Sequence, residues 1–107
     1  MAVLSVCYKH GVRMDEHYYL TKHVPLVARV WGAHGLERTE VRKITAATDG
    51  STPAYQIIFS VYFPSLETIQ AALQHPTTAE VMGDVKNYYD GMPDVFFGEI
   101  LKLTAVI

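Results

Sequence analysis

The stretch from Ala54 to Phe63 has the alternation of an extended strand, with Tyr55, Ile57, Phe59, Val61 and Phe63 on one side and Gln56, Ile58, Ser60 and Tyr62 on the other. The first side is wholly apolar and needs a core to bury it. The second also carries apolar groups, so the strand is expected at the centre of a sheet. Asp49-Gly50-Ser51-Thr52-Pro53 supplies a turn before it. The residues ahead of that turn, Leu36 to Ala47, mix β-branched side chains with Glu37, Arg38, Glu40, Arg42 and Lys43, the charging expected of an edge strand paired in a hairpin.

The other elements follow from their periodicities. Ala2 to Tyr8 reads as a strand with Ala2, Leu4, Val6 and Tyr8 on one face and Val3, Ser5 and Cys7 on the other. Both faces are largely apolar, which suits a central position. Met14 to Trp31 has helical spacing and is punctuated by Gly32 and Gly35. Ser65 is a candidate N-cap for a helix carrying Leu66, Ile69 and Leu73, which His75-Pro76 breaks. Thr77-Thr78-Ala79-Glu80 offers a capping box for a second segment that turns Val81, Val85 and Tyr88 or Tyr89 inward. After Gly91-Met92-Pro93, Val95 to Val106 reads as the last strand, with Val95, Phe97, Leu101 and Leu103 alternating.

The resulting order, βαββαβ, predicts an α+β, ferredoxin-like fold: a four-stranded antiparallel sheet with its helices on one face, forming a single domain over residues 1–107. The helix-free face then keeps apolar groups such as Val3, Ile58, Tyr62 and Phe96. That is too much to leave in water, and the simplest cover is a second copy of the chain in a twofold homodimer.

Composition narrows the function classes. Half of the 107 residues are hydrophobic, 19% are charged and the net charge is −2, with the nine Lys and Arg scattered apart from Arg42-Lys43. No basic patch argues for nucleic acid. No apolar run approaches the roughly 18 residues of a membrane helix, and the apolar N-terminus reads as a strand without a basic leader. The single cysteine, Cys7, allows no internal disulfide and is compatible with a reducing cytoplasm; in a buried strand it is expected to be structural. No Gly-rich phosphate loop, GxSxG, HExxH or CxxC announces a cofactor, and the five histidines fit no common zinc spacing.

Chemistry is expected in the first helix. At 3.6 residues per turn Asp15, Tyr19, His23 and Val27 share a stripe, which Leu26, Val30 and Trp31 continue as an apolar surface. His23 should therefore look into the core, while His17 sits about 120° away and faces solvent. Pro25 cannot donate a backbone N–H and disfavours helical geometry at Val24, so a kink or restart is expected there, leaving the Thr21 carbonyl short of a partner. The plainer reading of an inward histidine is a core residue satisfied by one hydrogen bond.

Within this region Tyr18, Tyr19, His23, Pro25 and Leu26 form a pattern that resembles the EthD family, named for a component of ethyl tert-butyl ether degradation; the second aromatic is usually Trp in the family and is Tyr19 here. Gly35-Leu36, His75-Pro76 and Asp84-Val85 with the aromatics after it are also similar. The resemblance implies a dimeric α+β barrel. It belongs to a wider group that includes cofactor-free monooxygenases, lactone isomerases, polyketide cyclases and haem enzymes, so fold analogy does not choose the reaction.

The resulting expectation is a cofactor-independent, monooxygenase-like oxidoreductase or related proton-transfer enzyme acting on a small apolar or aromatic molecule in catabolism or secondary metabolism. His23 would move the proton, since imidazole is suited to proton transfer near neutrality, with Tyr19 orienting it or donating a hydrogen bond. Asp15 could hold the other ring nitrogen. Tyr8, Phe59, Tyr62, Phe63, Phe96 and Phe97 are candidate pocket walls, with ordinary core packing as the alternative for each. A non-catalytic binding or accessory protein of a monooxygenase system is the second reading. Haem held by His75 or His23 is the third.

Overall fold

In the computed structural model, which describes residues 1–106, the strand with the strongest alternation is β3 (Tyr55–Phe63), and it occupies an inner position. It pairs antiparallel with β1 (Ala2–Lys9) on one side and β2 (Arg38–Lys43) on the other, and β1 pairs antiparallel with β4 (Asp94–Glu99). The order β2-β3-β1-β4 is that of a ferredoxin-like α+β fold. As its charges indicated, β2 is an edge strand with mostly exposed residues.

Register fixes which side chains meet the helices. Leu4 stands opposite Val61 and Phe97, and Val6 opposite Phe59 and Val95, so these share the face that also carries Tyr8 and Ile57. Most of that surface is buried: Leu4, Tyr8, Ile57, Phe59, Val61 and Phe63 are each at most 2% exposed. Against it pack helices α1 (Glu16–Tyr18), α2 (Val24–Gly32), α3 (Leu66–Gln74) and α4 (Thr78–Asp84). A turn of π-helix over Tyr19–His23 joins α1 to α2, and a short 3₁₀ turn over Val85–Asn87 follows α4. The chain leaves α2 through Gly35, whose φ of +97° favours glycine; a Cβ there would also stand 2.8 Å from the Thr68 methyl.

Ser65 caps α3 as expected, accepting from the Thr68 backbone N–H at 3.2 Å. The capping box at Thr77 does not form. Thr77 makes no side-chain cap, and Glu80 instead binds Arg29 at 2.6 Å. The last strand is shorter than its alternation indicated: β4 ends at Glu99, and residues 100–106 have no regular structure. Leu101, Leu103 and Val106 are 95%, 76% and 98% exposed, so nothing within the described chain rewards their extension into a sheet.

Candidate active site

Between the helices and the sheet lies a cavity of about 310 Å³. Its floor is Leu4, Val6, Tyr8 and Phe59 from β1 and β3. Val27 and Trp31 of α2, with Leu73, Val81 and Val85, form the wall, and Met82, Met92 and Val95 lie towards the exposed side. Into this apolar enclosure α2's approach inserts His23, which is 3% exposed.

The local helix geometry explains how His23 acquires its partner. Pro25 has no N–H to donate, and the chain accommodates it one turn earlier: the Val24 N–H bonds the Tyr19 carbonyl, five residues back, making a wide π turn rather than a broken helix. In a regular α-helix Tyr18 and His23 would stand about 140° apart. The wide turn absorbs one residue and brings both to the same carboxylate. Tyr18 Oη donates to Asp84 Oδ1 at 2.7 Å, and His23 Nδ1 lies 2.9 Å from Asp84 Oδ2. Asn87 Nδ2 also donates to Asp84 Oδ1 at 2.9 Å. The Thr21 hydroxyl bonds the His17 carbonyl at 2.6 Å, a local patch for a helix that has lost its regular ladder.

Electrostatics assign the protons in this pair. Burial acts to raise the Asp84 pKa, but the hydrogen bonds from Tyr18, Asn87 and His23 outweigh it and hold the carboxyl below its usual range. Burial lowers the His23 pKa below 6.5, and the attraction of Asp84 only partly opposes it. At neutral pH Asp84 is therefore ionised and His23 neutral. An ionised carboxylate accepts only, so Nδ1 carries the ring proton and Nε2 carries the lone pair. Nε2 makes no hydrogen bond among the described residues, which leaves a base in an apolar cavity.

Beside the pair lies a cluster of tyrosines. Tyr88 packs its ring 4.5 Å from the His23 ring and 4.9 Å from Tyr19, and its hydroxyl meets that of Tyr8 at 2.6 Å. Burial pushes the Tyr8 pKa up to about 12 and raises those of Tyr19 and Tyr88, so all three remain protonated at neutral pH.

The structure thus brings together His23, Tyr8 and Phe59 of the residues singled out in the sequence. Tyr19 stacks on His23 with ring centres 5.5 Å apart, but it is fully buried and does not line the cavity. Tyr62 is on the helix-free face of the sheet, where Arg38 stands 4.3 Å over its ring, and Phe96 shares that face opposite Ser5. Phe63 packs against Trp31, with ring centres 6.2 Å apart, and Phe97 is 43% exposed on β4; neither lines the cavity. Asp15 caps α1 by accepting from the Tyr18 N–H at 3.0 Å and does not reach His23. His75 bonds Thr77 at 2.8 Å and packs on His34, away from the lining residues. Among the described residues no group of three His, Cys, Asp or Glu is placed to hold a metal ion, and no helix is long and apolar enough to cross a membrane.

The residues that sequence reasoning missed are Asp84, Tyr18 and Asn87 as the support of His23, and Trp31, Val81 and Met92 as lining. Asp84 carried a signal in its place within the family pattern, but only the fold sets it against a histidine 61 positions earlier.

A ferredoxin-like sheet with helices on one face defines the fold class, and the comparisons with known proteins agree with that fold. The EthD domain model matches residues 13–92, and the chain belongs to the EthD family. An EthD-like protein from Ralstonia eutropha is 27% identical, with a TM-score of 0.84 over 97% of this chain and 95% of that one. An ethyl tert-butyl ether degradation family protein from Bacillus halodurans is 19% identical, with a TM-score of 0.76 over 94% and 99%. A proposed antibiotic biosynthesis monooxygenase from Deinococcus radiodurans shares the fold at 11% identity, with a TM-score of 0.58 over 100% and 99%. No curated protein matches the sequence.

Proposed function

We propose that this protein is an enzyme that works without a cofactor and uses His23 to remove a proton from a small neutral apolar or aromatic molecule held in the cavity. The observation that carries this is the pairing of buried His23 with half-buried Asp84: Nδ1 is committed to the carboxylate at 2.9 Å, and the ring is kept neutral with Nε2 open. Nothing in the lining would compensate a carboxylate or phosphate, since no Lys or Arg reaches it. The substrate proton passes to Nε2 and its bonding electron pair stays on the substrate. In the oxidoreductase form of this reading that anion reduces dioxygen, giving a hydroperoxide that loses water to leave a carbonyl. The name of the Deinococcus relative points the same way.

A nitrobenzisoxazole tests the base without knowledge of the natural substrate. It is neutral and bicyclic, and loss of its ring C–H proton opens the N–O bond to a coloured cyanophenolate. Wild type should accelerate this opening and His23→Ala should not. Equal rates for the two proteins would refute the assignment, and tight binding with no rate would favour a carrier.

The lowered His23 pKa sets the pH dependence. The neutral ring is the major form at pH 6.5, so the midpoint of the rate's decline on acidification should lie below that value. Stability has the same sign. A His whose folded pKa is depressed stabilises the fold above its unfolded value and loses that contribution as pH falls through the folded pKa. Melting temperature should therefore fall on acidification below pH 6.5 in wild type and fall less in His23→Gln.

We also propose a homodimer through the helix-free face. Val3, Ile58, Tyr62 and Phe96 lie there, Phe96 is 54% exposed, and the tail beyond β4 presents further uncovered apolar side chains. Light scattering should give a dimer at micromolar concentration and a monomer for Phe96→Asp. A monomeric wild type would refute it.

A further inference from the structure

Hydrogen bonds within the buried tyrosine cluster leave donors over. Tyr8, Tyr19 and Tyr88 are each at most 1% exposed. Tyr8 and Tyr88 share a single bond of 2.6 Å, so whichever hydroxyl donates, one of their two protons remains, and the Tyr19 hydroxyl has no partner among the described residues. Buried O–H groups are rarely left so. Of the three, Tyr8 alone lines the cavity. The side-chain N–H groups of the lining are both spent, Trp31 Nε1 on the Thr78 hydroxyl at 2.8 Å and His23 Nδ1 on Asp84 at 2.9 Å. When Tyr88 donates to Tyr8, the proton left over is that of the lining residue, and the cavity then offers a ligand one acceptor, His23 Nε2, and one donor, the Tyr8 hydroxyl.

We propose that Tyr8 is the anchor for a ligand oxygen, and that the cavity selects neutral hydroxyaromatic or enolic molecules whose O–H faces His23 and whose oxygen accepts from Tyr8. This rests on His23 being the cavity base and adds the substrate class. The O–H bond breaks, the proton goes to Nε2, and the electron pair stays on the oxygen, where the Tyr8 hydrogen bond strengthens as charge develops. Tyr8 remains the donor throughout because burial keeps its phenol protonated.

Titration with β-naphthol, its methyl ether and naphthalene separates the two contacts. The ether can only accept, and naphthalene can do neither. Wild type should bind β-naphthol more tightly than the ether and the ether more tightly than naphthalene, each step being up to about ten-fold. Tyr8→Phe should abolish the preference for the ether over naphthalene and keep that for naphthol over the ether. Tyr88→Phe, which leaves the Tyr8 hydroxyl in place, should retain both preferences. His23→Ala should remove only the naphthol-over-ether step. Equal wild-type affinity for ether and naphthalene, no binding of any of the three, or an unchanged ether preference in Tyr8→Phe would overturn the anchor. If Tyr8→Phe does not fold, the wild-type ether and naphthalene affinities still decide. Loss of the His23 step with no Tyr8 effect leaves the base reading standing without the anchor; the reverse leaves the anchor and removes the base.

Discussion

His23→Ala should lower the rate of nitrobenzisoxazole opening by about 10²–10⁴, the contribution usual for a positioned general base. Asp84→Asn is expected to lose much of the same factor while leaving the imidazole present. An amide at that position can present its NH₂ to Nδ1, which then takes the lone pair and leaves the proton on Nε2, the wrong nitrogen for a cavity base. Tyr18→Phe removes one of the three hydrogen bonds to the carboxylate and keeps its bond to His23, so its effect should be much smaller. Steady-state rates of the folded variants check the order: wild type, Tyr18→Phe, Asp84→Asn, His23→Ala. Asp84→Asn with wild-type activity would show that the carboxylate does not set the tautomer.

The largest effect on stability should come from Trp31→Ala. Trp31 is 3% exposed, packs on Phe63, and donates to Thr78, whose own hydroxyl donates to the Ala72 carbonyl. Truncation deletes the ring and strips Thr78 of a donor, enlarging a cavity that is already present; a loss of about 3–5 kcal/mol is expected. Against a usual total of roughly 5–15 kcal/mol this brings the domain near unfolding. Urea titration followed by circular dichroism measures it, since the variant lacks the chain's sole tryptophan. Trp31→Phe keeps most of the packing and loses the N–H, so it should fall between the two. A loss under about 1 kcal/mol for Trp31→Ala would mean that the wall collapses into the cavity without cost.

Much of the fold could be read from alternation, because strand faces that are buried on one side impose period two on their residues. Thus β3 and β1 were evident, as were the edge character of β2 and the Ser65 cap. Alternation alone overextended the final strand, since Leu101 and Leu103 repeat correctly but have no neighbour within the described chain to bury them. The same parity put Tyr62 on the opposite face from Phe59, and it separated lining from core less well: Phe63 and Phe59 share a face, yet only Phe59 reaches the cavity. At the site, helical spacing placed Tyr19, His23 and Val27 on one buried stripe. It did not reveal that the turn around them is wide. Pro25 pointed to a disturbance, but whether a helix answers a missing donor with a kink or with a π turn depends on what the displaced side chains gain. Here Tyr18 and His23 both gain Asp84, a partner supplied by tertiary packing.

Proton removal in this cavity requires a neutral His23 with its proton on Nδ1 and its lone pair on Nε2. Ring-nitrogen NMR of uniformly ¹⁵N-labelled protein, assigned with His23→Gln, measures it directly. The expected result is a neutral Nδ1–H tautomer at neutral pH, titrating below 6.5, and a shift at Nε2 when β-naphthol is added. A ring protonated on both nitrogens at neutral pH, or one with its proton on Nε2, would contradict it.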